Sequence, residues 1–366
     1  MLLKSLEVQG FRNLKGNIKL SSGLNILVGE NGQGKTNWLE AIHVLATTRS
    51  FKTTKLSEAI SFDADEAYVS GLIKASADID RTLQAALRGN TKSFYINAKR
   101  EPIQRYLGEL HAVVFNADEL EVVRGTPDAR RKFLDAAITA IHPPYVQILA
   151  DYSRVLRQKN ALLQRVHDAE MSLEQIAEHL EPWNEQLVLL AARIHRSRIR
   201  IVERLNEVLE KRLFGRELIT IRYASSLEEH GDLSNYEGLI KERLKLRVQA
   251  EMLAGHSLIG PQRDDLEILF DGRDLRKFGS AGQQRSALLL LQLANISVFY
   301  AQRGEYPLFL LDDIDAELDF TRIGQLLEFL DGKTQCIVTT SKISFVESFG
   351  SKASVFEVVA GKTEIA

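Results

Sequence analysis

Apolar and polar positions along the chain fall into three rhythms. Over the first 140 residues, short apolar runs of strand length recur between turn residues: "SLEVQGF", "LNILVG", "AYVSGLIKAS", "RTLQAALR", "SFYINAK" and "HAVVF". One helix interrupts them, beginning near Lys35 and running through "TNWLEAIHVLAT". Thr126-Pro127-Asp128 then gives a helix start with proline at the first helical position. From there to about Arg212, apolar residues recur every three or four positions, and Pro143-Pro144 separates the first two helices. Strand rhythm returns at "ELITIRYAS", followed by a helix through "YEGLIKERLKLRVQAEML". The last third alternates again, with strands "LEILFD", "PLFLLDD", "QCIVTT" and "SVFEVVA" around helices "QQRSALLLLQLANISVFYAQ" and "IGQLLEFL". This is an α/β pattern divided by an α-helical insertion. The expected division is one domain over residues 1–140 and 214–366, with the helical piece over 141–213.

Composition narrows the class more than the function. The hydrophobic share of 45% and charged share of 26% belong to an ordinary soluble globular chain. Its 47 Lys+Arg against 49 Asp+Glu give a net charge of −2, so a nucleic-acid partner would need a local basic patch. The single cysteine, Cys336, excludes an intrachain disulfide and suits a reducing compartment. The start "MLLKSLEVQGF" lacks the apolar run of a secretory signal. The longest apolar stretch, "SALLLLQLANISVFYA", is interrupted by Gln292, Asn295 and Ser297 and is too short to span a bilayer. The expected location is the cytoplasm, with no membrane partner.

Three motifs carry chemistry. "GENGQGKTN" follows the strand "LNILV" and opens a helix, and it fits G-x-x-x-x-G-K-[ST]. Gly29, Gly32 and Gly34 let the backbone turn its N–H groups toward phosphate oxygens, with Glu30, Asn31, Gln33 and Asn37 completing the loop. Lys35 adds a charge at the β- and γ-phosphates, Thr36 offers a hydroxyl to Mg²⁺, and the helix dipole favours the same anion. In "PLFLLDDIDAELD" a buried strand ends in two carboxylates. Asp312 would hold Mg²⁺ through water, and Asp313 would orient or deprotonate the attacking water. In "KFGSAGQQRS", Ser280, Gly282 and Gln283 form a small-residue turn before a long apolar helix. That turn is either a second anion site or a plain helix cap.

In this order the motifs resemble the ATP-binding-cassette (ABC) superfamily. More narrowly the chain resembles the RecF family of bacterial recombination mediators, related to Rad50 and SMC heads. The resemblance runs through "GFRNL", "GENGQGKTNWLEAI", "TTRSFK", "GTPDARRKFLD", "GPQRDDLEI", "SAGQQRS" and "LLDDIDAELD". Three positions depart from the family pattern: Gln262 where histidine is usual, Asn116-Ala117 in place of Ser-Pro, and Lys159 in place of arginine. The resemblance implies an ABC-ATPase head of Rad50/SMC type with an inserted α-helical domain. It implies that ATP glues two such heads into a homodimer, with Ser280 and Gly282 reaching the γ-phosphate of the partner's nucleotide. Arg12 and Asn13 would reach the phosphates of their own chain's nucleotide. It also implies slow hydrolysis, because Asp313 stands where transporter cassettes have glutamate and is shorter by about 1.5 Å. Thr339-Thr340-Ser341 likewise stands where those cassettes carry a histidine.

The implied partners are duplex and gapped DNA, RecR, RecO and RecA. Arg49, Lys52 and Lys55 in "TTRSFKTTK", and Arg130 and Arg131, are the candidate phosphate contacts. The arginines of "RIHRSRIR" read better as a solvated helix face. Two competing classes are a transporter ATPase subunit and a nuclease-associated ATPase of the overcoming-lysogenisation kind. The large helical insertion and Asp313 disfavour the first; the lack of an appended domain with clustered metal carboxylates disfavours the second.

Overall fold

The computed structural model describes residues 1–74, 79–167, 172–211 and 218–365. The last two residues of "AYVSGLIKAS", the end of the long helix at Arg212 and the expected boundary at 213/214 lie outside them. Two compact units emerge, one made of Met1–Leu120 and Ser280–Ala366, the other of the described residues between Glu121 and Gly279.

Among the described residues, the first unit has two six-stranded sheets. One is antiparallel, formed in order by Leu14–Lys19, Leu2–Phe11, Glu66–Lys74, Asp80–Arg88, Thr91–Ile96 and Lys99–Glu101. The other is mostly parallel: Lys362–Ile365, Ala353–Val359, Leu24–Val28, Cys336–Thr340, Leu308–Leu311 and Ala112–Phe115. Leu24–Val28 pairs with Cys336–Thr340 on one side and with Ala353–Glu357 on the other. Its neighbours therefore come from the far end of the sequence. Both faces of a central parallel strand are covered, which explains why "LNILV", "LFLL" and "CIVTT" are apolar without alternation. The helix Lys35–Thr47 fills the space beside these strands with Trp38, Leu39, Ile42, Val44 and Leu45, all buried in one core with residues of both sheets.

The second unit is mainly helical but is larger than the helical rhythm suggests. Helices Pro127–Ile141, Tyr145–His167 and Leu173–Leu209 join a three-stranded sheet of Ile219–Ala224, Asp265–Phe270 and Arg273–Asp274. Ion pairs and side-chain hydrogen bonds make one body of these pieces. Arg130 is bidentate on Asp265 at 2.6 and 2.9 Å, Arg198 is bidentate on Asp135 at 2.9 Å, and Asn206 exchanges two bonds with the backbone of Ile221. The expected single helix after Tyr236 is two, Tyr236–Leu246 and Val248–Ala254, because Arg247 leaves helical geometry.

The three departures from the family pattern each fill a local role. Asn116 Oδ1 accepts the Glu119 N–H at 2.8 Å, as a capping serine would. Gln262 bonds the Ile259 carbonyl and the Tyr152 hydroxyl. Lys159 makes a fully buried pair with Glu251 at 2.6 Å. No helix among the described residues is long and apolar enough to cross a membrane.

Candidate active site

The turn from Gly29 to Gly34 joins the strand Leu24–Val28 to the helix Lys35–Thr47. Gly32 and Gly34 have φ of +83° and +105°, a region that side chains strain to enter. Lys35 is buried, and its ammonium donates to the carbonyls of Gly29 and Glu30 at 2.9 Å each. It therefore bridges the mouth of the loop, where a phosphate can exchange for those carbonyls. Glu30 and Asn31 are exposed.

The acidic strand meets this loop as the sequence implies. Thr36 Oγ1 donates to Asp312 Oδ1 at 2.9 Å. The Thr339 hydroxyl donates to the same oxygen at 2.7 Å, and Thr339 Oγ1 accepts the Asp313 N–H at 2.9 Å. Thr339, which motif reading treated only as the place of a missing histidine, thus holds the Asp312 carboxylate and the Asp313 main chain together. Burial pushes the Asp312 carboxyl above the usual range, partly offset by these hydroxyls. Burial also raises Asp313, with Lys35 opposing and Asp315 and Glu317 reinforcing. Asp313 itself sits at φ +45°, ψ +44°, a left-handed conformation that costs a non-glycine residue about 1 kcal/mol or more. Asp313 stands at the start of the helix Ile314–Glu317.

These residues fit Mg²⁺ with a nucleotide. Asp312 is a buried carboxylate bonded by two neutral hydroxyls, one of them that of Thr36 on the loop. Among the described residues no group of three or more His, Cys, Asp or Glu could hold a metal alone. A Mg²⁺ bound through one carboxylate together with phosphates needs no such group.

Arg12 departs from expectation. It lies at φ +52°, and its guanidinium grips Glu40 with two bonds of 2.8 and 2.9 Å and the Glu58 carbonyl with a third at 2.7 Å. The structure ties Arg12 to the helix rather than leaving it free toward a phosphate. Glu40 is wholly buried, and it also accepts the Ser50 hydroxyl at 2.6 Å. Ser50 in turn receives the N–H groups of Lys52 and Thr53. Glu40 thus anchors the segment bearing Arg49, Lys52 and Lys55, all three exposed. The signal that could have found it was a carboxylate among Trp38, Leu39, Ala41 and Ile42, where every helix face has an apolar neighbour. Asn13 accepts the Asn37 amide at 2.8 Å, and Lys52 donates to Asn37 at 2.9 Å.

The small-residue turn is the helix cap that the sequence allowed. Ser280 caps the helix Ala281–Arg303 in a reciprocal bond pair with Gln283, so Gln283 faces the cap. Ser280 and Gly282 nevertheless remain exposed. Arg285 holds Glu317 at 2.8 Å, linking this helix to the "AELD" loop. The other basic candidates separate by burial. Arg130 is 3% exposed and committed to Asp265 and the Gly125 carbonyl, a structural pair in place of the expected DNA contact. Arg131 donates to the Asp264 carbonyl and is partly covered. Arg198 of "RIHRSRIR" is buried on Asp135 and Arg196 faces Glu237, while Arg193 and Arg200 are exposed.

Comparison with known proteins places this geometry in a family. The RecF/RecN/SMC N-terminal domain matches residues 2–364. The DNA replication and repair protein RecF of Halothermothrix orenii is 36% identical over 350 residues, covering 93% of this chain and 92% of the relative. The protein of the same name from Gloeobacter violaceus is 35% identical over 371 residues, covering 99% and 98%. A solved structure of the recombination mediator protein RecF-ATPrS in the RecFOR pathway has a TM-score of 0.90 at 30% identity, covering 100% of this chain and 98% of that one. Its RecF-ATP counterpart has a TM-score of 0.89 at 30% identity, covering 100% and 97%. The fold is accordingly the ABC-ATPase type of these heads. With the loop, the acidic strand and nearly every residue accounted for, the chain belongs to the RecF/RecN/SMC N-terminal domain family and is similar to RecF over its whole length.

Proposed function

We propose that this protein is an ATP-gated, DNA-binding recombination mediator of the cytoplasm that acts in DNA repair and replication restart. ATP joins two copies around DNA at single-strand/double-strand gaps, and the assembly promotes RecA loading together with RecR and RecO. The observation that carries the reading is the Asp312 carboxylate, joined to Thr36 of the phosphate loop and to Thr339 of the neighbouring strand. Relatives named for DNA replication and repair, and neighbours solved as RecF-ATP in the RecFOR pathway, support the same assignment.

In this reading Lys35 releases the Gly29 and Glu30 carbonyls and takes the β- and γ-phosphates. Thr36 and Asp312 would hold Mg²⁺, which supplies positive charge against the phosphates during transfer. Asp313, raised in basicity by burial, orients the attacking water and accepts its proton. Ser280 and Gly282, exposed here, supply the partner's γ-phosphate contacts. A carboxylate one methylene short of glutamate makes turnover slow, so the ATP-bound pair is long-lived and hydrolysis resets it. Arg49, Lys52 and Lys55 contact DNA phosphates, which carry no sequence information.

Light scattering with Mg-ATP, with and without a gapped duplex, tests the assembly in native, Lys35→Met and Ser280→Arg chains. The expected result is a dimer that requires ATP, tightens on DNA and disappears in both variants. A native chain that stays monomeric under every condition overturns it.

A further inference from the structure

The hairpin of Ala353–Val359 and Lys362–Ile365 carries no nucleotide motif, yet it touches the phosphate loop and its supports at several points. Gly29 lies against the Val358 carbonyl, where an added Cβ would come within 2.5 Å of the oxygen. The Gln33 side-chain oxygen accepts the Ala360 N–H at 2.7 Å, and its main-chain carbonyl accepts the Gly361 N–H at 2.8 Å. Gly361, at φ +80°, is pressed onto the main-chain carbonyl of Asn13; a Cβ there would stand 2.0 Å from that oxygen. The Asn13 side chain lies against Gly34, where a Cβ would be 2.9 Å away, and accepts from Asn37. The Thr363 hydroxyl bonds the Asn17 carbonyl at 3.1 Å, securing the return strand.

A cradle of main-chain N–H groups binds phosphate well only if its backbone is already in place, and glycine-rich loops have the most freedom to lose. We propose that the Ala360–Gly361 turn is a positioning brace for this loop. It fixes Gln33 directly and Gly34 through Asn13, so it sets nucleotide affinity without touching the nucleotide. The brace rests on the reading that this loop binds ATP. It also gives Gln33 a holding role in place of a ligand contact.

The test is calorimetric titration of Mg-ATP into native, Gln33→Ala, Gly361→Ala and Gly332→Ala chains, with thermal midpoints recorded alongside. Gly332 is the control: it has φ +66° in the same unit but nothing within 4 Å of an added Cβ. Gln33→Ala removes one neutral hydrogen bond and is expected to weaken ATP binding about 3- to 10-fold. Gly361→Ala forces the turn off Asn13 and is expected to weaken it at least ~10-fold. Gly332→Ala should shift the midpoint and leave the dissociation constant at the native value. If Gly361→Ala does not fold, Gln33→Ala decides. Native affinity in Gln33→Ala and in every other folded variant overturns the brace, as does equal weakening in Gly332→Ala. A native chain that binds no ATP overturns the functional reading itself and the brace with it.

Discussion

The pairing of Arg12 with Glu40 makes a prediction that separates a structural role from a nucleotide contact. Glu40 has no exposed side-chain surface, while the Arg12 side chain is 22% exposed and retains a third bond to the Glu58 carbonyl. Removing one member of a buried bidentate pair usually costs about 3–5 kcal/mol. Water can reach Arg12, so Glu40→Ala should cost less than that range, about 2–3 kcal/mol, including the loss of the Ser50 acceptor. Arg12→Ala strands a buried carboxylate and should cost at least as much. The double variant should cost little more than either single one, giving a coupling of about 2 kcal/mol. Trp38, buried in the same unit, supplies a fluorescence signal for urea unfolding once Trp183 is replaced by phenylalanine. The same Glu40→Ala chain should bind DNA more weakly, since Ser50 and the exposed cations beyond it lose their anchor. Additive costs, with a coupling below about 0.5 kcal/mol, would refute the argument and return Arg12 to the phosphates.

Two further outcomes follow from burial and charge. Burial holds Asp312 above its ordinary 3.8, so the folded chain binds that proton more tightly than the unfolded one, and stability falls as pH rises from 3.8 through the folded value. Asp312→Asn, which keeps an oxygen for Thr36 and Thr339, should therefore raise the thermal midpoint at about pH 8, with the gain shrinking toward about pH 4, while Mg-ATP hydrolysis is lost. A lower midpoint at neutral pH would contradict it. Arg130→Ala should destabilise its unit by about 2–3 kcal/mol and leave the salt dependence of DNA binding unchanged. Arg49→Ala should do the reverse, lowering the slope of log K against log salt by about 0.9. Equal slopes for the two variants would count against this division of roles.

The parts of the site that were legible in the sequence are those encoded by neighbours in the chain. A strand, three glycines, a lysine and a threonine within a dozen residues specify the phosphate loop, and "LFLLDD" specifies the carboxylates, because each pattern is complete over one turn or one strand. Arg12, Gln33 and Thr339 were legible as residues but not as contacts. Their partners Glu40, Ala360 and Asp312 lie 28, 327 and 27 positions away, and only the assembled sheets bring them together. Arg130 shows the converse difficulty: a cation in a basic run looks like a surface group until Asp265 closes over it from 135 residues away. Strands such as Leu14–Lys19 and Lys362–Ile365 were unreadable because they are short and largely polar and owe their form to an adjacent strand.

The placement of Leu24–Val28 between Cys336–Thr340 and Ala353–Val359 has a consequence for how the protein is made. The phosphate-loop strand is synthesised well before both of its partners, and its two hydrogen-bonding edges stay bare until they follow. The Leu3 backbone likewise waits for Gln335, 332 residues later. Until then the nascent chain presents an apolar, unpaired strand of the kind that invites wrong pairing. The helical unit between Glu121 and Gly279 can form in the meantime from contacts that need neither terminal segment. On the proposed function, competence for nucleotide therefore arrives only once both partner strands have been made, so products truncated before Cys336 should be silent toward ATP.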